Sequence, residues 1–130
     1  MVERVVDWRG GELRGVGRIS ARSPFATNGH VPGYVGIDCL AQAAAVLRGL
    51  EQGLARHGTN PELGYVVGIR KARFEARTLP LERELTTHVR FLGGAGSLAE
   101  YEAELVEGEK AYVSAVLSTF RIPGMKRSDE

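Results

Sequence analysis

The sequence predicts an α+β domain with one long central helix wrapped by a curved antiparallel sheet. Three observations predict it. Between Tyr34 and Leu47, in the stretch GHVPGYVGIDCLAQAAAVLRGL, nearly every residue is apolar or small. A helix that is apolar on nearly all sides is buried on nearly all sides. Downstream, three runs with period-two alternation are joined by tight glycine turns, and such short turns join antiparallel rather than parallel strands. Finally, the helix carries more apolar surface than one small sheet covers, so a homodimer or a dimer-based oligomer is expected.

Arg4 to Trp8 reads as a short strand, turned by Gly10-Gly11 into a second from Leu13 to Ala21. Ser23 to Pro32 is rich in Gly, Pro and Asn and reads as loop. The helix runs from about Pro32, which lacks only an N–H that a helix start leaves unpaired, to about Arg56. Gly58, Asn60 and Pro61 end it. A long strand follows from Tyr65 to Thr78, with Ala72, Phe74 and Ala76 on one face and Lys71, Arg73, Glu75 and Arg77 on the other. Pro80 breaks it. Glu84 to Leu92 places Leu85, Thr87, Val89 and Phe91 on one side, and the glycines from Gly93 to Gly96 make a hairpin turn. Leu98 to Glu107 turns Tyr101, Ala103 and Leu105 inward. Gly108 makes a second tight turn, and Tyr112 to Ile122 is the last strand, stopped by Pro123-Gly124. The domain spans residues 1–125, and 126–130 read as a frayed charged tail.

With 130 residues the chain is one domain with room for a real core, and its net charge of +1 carries no nucleic-acid footprint. The single cysteine, Cys39, excludes an internal disulfide; as a buried structural thiol it fits a reducing cytoplasm. The start, MVERVVDW, lacks the apolar core of a signal peptide, and Asp38, Gln42 and Arg48 interrupt the only long apolar stretch, so no membrane span is expected. No His/Cys spacing matches a zinc site, no glycine-rich phosphate loop is present, and no serine has a nucleophile-elbow context. Neither metal nor cofactor is expected.

Asp38 is the informative residue. A carboxylate inside an apolar helix costs several kcal/mol unless it is partnered or its proton is put to use. Gln42 lies one turn on, on the same face, and the plain reading of Asp38 is a buried hydrogen bond to it or to backbone. The catalytic reading pairs Asp38 with His30, since a histidine beside a desolvated carboxylate performs general acid–base chemistry. A histidine in a Gly/Pro loop is also commonly just solvated, and both readings of His30 stay open. The helix start at Gly33 and Tyr34 offers N–H groups and a positive dipole end for a carbonyl oxygen, and the glycine lets a ligand come close. His57 reads as a helix C-terminal cap and His88 as exposed beside Thr86 and Arg90. Arg70, Lys71, Arg73 and Arg77 read as a solvated strand face or as a landing site for an acidic carrier.

The segment from Asp7 to Ala45 resembles the 3-hydroxyacyl-ACP dehydratases of the hotdog fold. Pro32-Gly33-Tyr34-Val35-Gly36-Ile37-Asp38-Cys39-Leu40-Ala41-Gln42 fits that family's helix without a gap, Asp38 falls on its catalytic carboxylate, and Gly29-His30 looks like its Gly-His. GYVVGIRKARFEA is similar to its strand after the helix. His30 and Asp38 stand eight residues apart, closer than in the family pattern, and the deletion falls between His30 and Pro32. The shortened form looks closest to a divergent dehydratase-like group associated with aryl polyene pathways. The resemblance implies elimination of water from a 3-hydroxyacyl thioester carried by phosphopantetheine on acyl carrier protein. His30 would remove the C2 proton, Asp38 of the neighbouring subunit would protonate the leaving hydroxyl, and Gly33 would polarise the carbonyl. Tyr34, Ile37 and Leu40 would help line the acyl tunnel or its mouth, and Gln42 would be a substrate-binding residue or, on the plain reading, a polar contact in a helix–helix or helix–sheet seam. Two alternatives follow from the same residues: a non-catalytic hotdog subunit that pairs with an active dehydratase, motivated by the short histidine loop, and a hotdog acyl thioesterase in which Asp38 activates water.

Overall fold

The computed structural model describes residues 1–55 and 63–122. Its strands are β1 (Arg4–Arg9), β2 (Glu12–Gly17), β3 (His30–Pro32), β4 (Leu63–Phe74), β5 (Thr78–Pro80), β6 (Leu85–Ala95), β7 (Leu98–Glu107) and β8 (Lys110–Ile122), and its helix is α1 (Val35–Ala55). The long strands form one sheet in the order β1-β2-β6-β7-β8-β4, while β3 and β5 pair apart from it. Every pairing in the large sheet is antiparallel, including the β6-β7-β8 meander expected from the glycine turns. The helix stop at Gly58, Asn60 and Pro61, the cap at His57, the strand stop at Pro123-Gly124 and the tail at 126–130 lie outside the described residues.

The helix lies across β2, β6, β7 and β8. Cys39, Leu40, Ala43, Ala44 and Leu47 form its buried face, against Leu13, Leu85, Val89, Leu105, Val113 and Leu117 of the sheet. Burying each of these leucines contributes about 1.5–3 kcal/mol. The opposite face is a stripe at helical spacing, Asp38, Gln42, Ala45 and Gly49, and it is exposed. The helix is thus covered on one side only, which corrects the expectation of burial all round. Its small residues made the apolar count high without demanding burial.

The elements differ from expectation in three places. β2 ends at Gly17, before the expected Ala21, because Ser20 turns the chain: the Ser23 amide donates to the Ser20 carbonyl at 3.0 Å, and the Arg22 amide to the Ser20 hydroxyl at 3.0 Å. The expected strand from Tyr65 to Thr78 divides into β4 and β5. β4 ends at Phe74, and β5 leaves the large sheet to pair with β3. Within β4 a register shift between Arg70 and Arg73, with Lys71 at a left-handed φ of 55°, makes a bulge before pairing resumes. The hairpin after β6 closes later than expected, at Gly96 with φ 62°, and Gly93 to Ala95 remain paired with β7.

Thr87 faces inward on β6 and is fully buried, and its hydroxyl has no hydrogen-bond partner among the described residues. A buried hydroxyl without a partner costs roughly 1–3 kcal/mol. Thr87→Val, which keeps the shape, is therefore expected to stabilise the fold by about 1 kcal/mol. A raised urea midpoint at unchanged slope would bear this out; an unchanged or lower midpoint would contradict it.

Candidate active site

The start of α1 is set by two glycines. A Cβ on Gly33 would lie 2.8 Å from the Ala76 carbonyl oxygen, and one on Gly36 2.5 Å from Cγ1 of the buried Val113. The helix start therefore presses directly on the chain leading into β5 and on β8. The Gly33 amide donates to the Arg77 carbonyl at 2.7 Å. That amide is spent, and the close approach at Gly33 is made by the protein's own backbone, which corrects the expectation of a free N–H there. Tyr34 holds the next amide, which has no partner among the described residues.

From this start, Tyr34, Val35, Asp38, Cys39 and Gln42 form one wall of a cleft of about 550 Å³. The other wall is the segment after β2, with Ile19, Ser20, Ser23 and Phe25, and Met1 and Arg18 complete the lining. Phe25 and Tyr34 meet edge to face with centroids 6.3 Å apart, and both are exposed. Asp38 is exposed on the protomer, not buried. Its Oδ2 accepts from Gln42 Nε2 at 2.7 Å, while Gln42 Oε1 accepts from the Met1 amine at 2.6 Å. The two bonds fix the Gln42 amide in one orientation and leave Asp38 Oδ1 without a partner among the described residues.

Beside Asp38, burial pushes the Cys39 thiol up from an ordinary 9.0 to about 11, with the Met1 amine opposing and the Asp38 charge adding to the rise. The folded state holds this proton more tightly than the unfolded state, so stability from this group falls as pH rises from 9 toward 11. Alkylation of Cys39 at pH 8 is expected to run about a hundredfold slower than for an ordinary thiol, measurable with iodoacetamide. A rate equal to that of a free thiol would contradict this burial.

His30 sits on β3, opposite Pro80 of β5. Asn28 (φ 52°) and Gly29 (φ 85°) make a tight turn of the I′ kind, bringing Thr27 opposite His30. His30 Nδ1 lies 3.0 Å from the Thr27 carbonyl oxygen. A carbonyl only accepts, so Nδ1 carries hydrogen and Nε2 is the basic nitrogen of the neutral ring. The ring is exposed and is not part of the cleft wall. Ile37 packs partly buried against the core, also away from the cleft. One protomer thus brings together Tyr34, Asp38 and Gln42 of the expected site residues, and not His30, Gly33, Ile37 or Leu40. Phe25 and the segment around it, which the sequence offers only as loop, complete the cleft. The Asn28-Gly29 dipeptide was the signal for the turn that orders this region.

Two of the four cations in the expected basic run are paired with acids. Arg70 pairs with Glu100 at 2.9 Å, which raises the guanidinium and lowers the Glu100 carboxyl, and Arg73 pairs with Glu75 at 3.4 Å. A second depression of about 400 Å³ lies on the outer sheet face among Lys71, Arg73, His88, Arg90 and the acids Glu12, Glu102 and Glu104. His88, half-exposed, lies 3.6 Å from Glu12 and 3.9 Å from Glu104. This ladder of mixed charges reads as a solvated face. Among the described residues no group of three or more His, Cys, Asp or Glu could hold a metal, and no helix is long and apolar enough to cross a membrane.

A helix packed on a broad, wholly antiparallel sheet, with an exposed stripe on its outer face beside a cleft, defines a hotdog-fold protein. The chain belongs to the ApeP-like family, whose model, described as ApeP dehydratase, matches residues 1–128. It is 30% identical over 129 residues to the 3-hydroxyacyl-[acyl-carrier-protein] dehydratase FabZ of Janthinobacterium sp. (strain Marseille), covering 93% of this chain and 80% of that protein. Its fold is similar to a chain of the dehydratase heterocomplex ApeI:P from Xenorhabdus doucetiae, with TM-score 0.82, 22% identity, and coverage of 93% and 82% of the two chains. It is also similar to a hypothetical thioesterase protein with coenzyme A from Streptococcus pneumoniae TIGR4, with TM-score 0.69, 10% identity, and coverage of 95% and 88%.

Proposed function

We propose that the chain is a dehydratase of 3-hydroxyacyl thioesters, presented on the phosphopantetheine arm of acyl carrier protein, working in a dimer. The observation that supports this reading is Asp38 lining a cleft with one oxygen held by Gln42, at the position where the sequence resemblance puts the family's carboxylate. In the reaction, His30 Nε2 of one subunit takes the C2 proton while Asp38 of the other gives a proton to the C3 hydroxyl. The C2–H electron pair becomes the C2=C3 bond, the C3–O bond breaks, and water leaves. The Tyr34 amide, at the positive end of α1, faces the charge that builds on the thioester oxygen. Proton transfer from His30 back to Asp38 resets the site.

The dimer rests on β4, an edge strand of the large sheet. Val66, Ile69 and Phe74 pair with Thr119, Leu117 and Val113, so they face the helix side, yet they are 41%, 48% and 51% exposed. An open edge beside an uncovered apolar row invites a second subunit. Ile69→Lys is expected to leave protomers at micromolar concentration by light scattering, because a buried unpaired charge costs several kcal/mol. An unchanged dimer mass would contradict this interface.

A non-catalytic subunit that completes another hotdog protein's site is the second reading. It is favoured by His30 lying outside the cleft wall of its own protomer. Purified chain incubated with 3-hydroxyacyl-ACP separates the readings: enoyl product from the chain alone supports the dehydratase, product only after adding a second hotdog subunit supports the partner role, and free acid marks a thioesterase.

A further inference from the structure

Glu82 stands in the turn between β5 and β6 with a left-handed φ of 57°, a conformation that a residue with a side chain seldom takes. From there it makes two bonds to one place. Its amide donates to the Ile19 carbonyl at 2.9 Å, and its Oε2 accepts from the Ala21 amide at 2.7 Å. The segment it grips is the outer wall of the cleft. Beyond Ala21 that wall is held mostly by its own turns: the Phe25 amide donates to the Ser23 hydroxyl at 3.3 Å, and the Ala26 amide to the Ser23 carbonyl at 3.0 Å. Phe25 then reaches Tyr34 across the mouth. Strain of this kind persists only where surrounding contacts over-determine it, and here those contacts end at the cleft.

We infer that Glu82 is a positioning residue: it clamps the backbone from Ile19 to Ala21, holds Phe25 against Tyr34, and so fixes the width of the cleft at Asp38. The inference rests on the cleft being the acyl site as proposed above. Its mechanical half, the clamp, is read without any substrate. In Glu82→Ala the Ala21 amide loses a charge-assisted partner, and its hydrogen exchange is expected to quicken about tenfold, with weaker nuclear Overhauser contacts between the Phe25 and Tyr34 rings. KM for the acyl thioester is expected to rise roughly threefold to tenfold with kcat within about twofold, since the acid itself is untouched. Glu82→Gln keeps an oxygen able to accept from Ala21 and is expected to restore all three readouts. Wild-type exchange and ring contacts in Glu82→Ala would overturn the clamp. Faster exchange with unchanged ring contacts would overturn its link to the cleft. If the wild-type chain processes no acyl thioester, the functional reading fails, while exchange and ring contacts still decide the role of Glu82.

Discussion

Asp38→Asn is expected to lower dehydration by roughly a hundred- to ten-thousandfold, the usual contribution of a positioned proton donor. The replacement is nearly isosteric, and its amide oxygen can still accept from Gln42 Nε2, so the hydrogen bond that now orients Asp38 survives. What it removes is the proton that the leaving hydroxyl needs. Asp38 is on the exposed stripe of α1, so no core contact is lost and the melting temperature is expected to stay within a few degrees. Full activity with the same pH profile would reduce Asp38 to a partner of Gln42. Lost activity with a lost fold would be excluded by comparing circular dichroism of the two proteins.

Gly36→Ala is expected to destabilise the protein by about 1–3 kcal/mol, the cost of forcing a methyl into a packed core. The new Cβ would meet Val113 Cγ1 at 2.5 Å and Leu79 Cδ1 at 3.4 Å, and both neighbours are buried. Gly49 is the control on the same helix. Nothing lies within 4 Å of a Cβ built there, and Gly49→Ala is expected to stabilise by about 0.5–1 kcal/mol through helix propensity alone. Opposite shifts of the two urea midpoints would support a helix start pressed on β8. Equal effects at both positions would contradict it.

Much of this fold was legible in local pattern. The β6-β7-β8 meander declared itself through alternation and glycine turns, and β7 runs from Leu98 to Glu107 as expected, with Tyr101, Ala103 and Leu105 inside. The helix was legible from its apolar run, but its burial was overread, because Ala45 and Gly49 count as small without being covered. β3 and β5 were not legible. Three residues each, bounded by prolines, they exist only because His30 to Pro32 meets Thr78 to Pro80 far along the chain. The bulge at Lys71 was equally hidden, since its residues alternate perfectly in sequence. At the candidate site, Asp38 and Gln42 were found by spacing on one helix. The wall carrying Phe25 was missed, because turns built from serine hydroxyls and a distant glutamate leave no periodic trace.

The most direct test of a site shared between subunits is complementation. His30→Ala and Asp38→Asn proteins, each inactive alone, would be mixed and allowed to exchange subunits, and turnover of a 3-hydroxyacyl-ACP followed. Random dimers that draw His30 from one subunit and Asp38 from the other place one intact site in each mixed pair. Activity should then return to about a quarter of wild type. A mixture that exchanges subunits, as shown by mass spectrometry, yet stays as inactive as its parents would contradict the shared site.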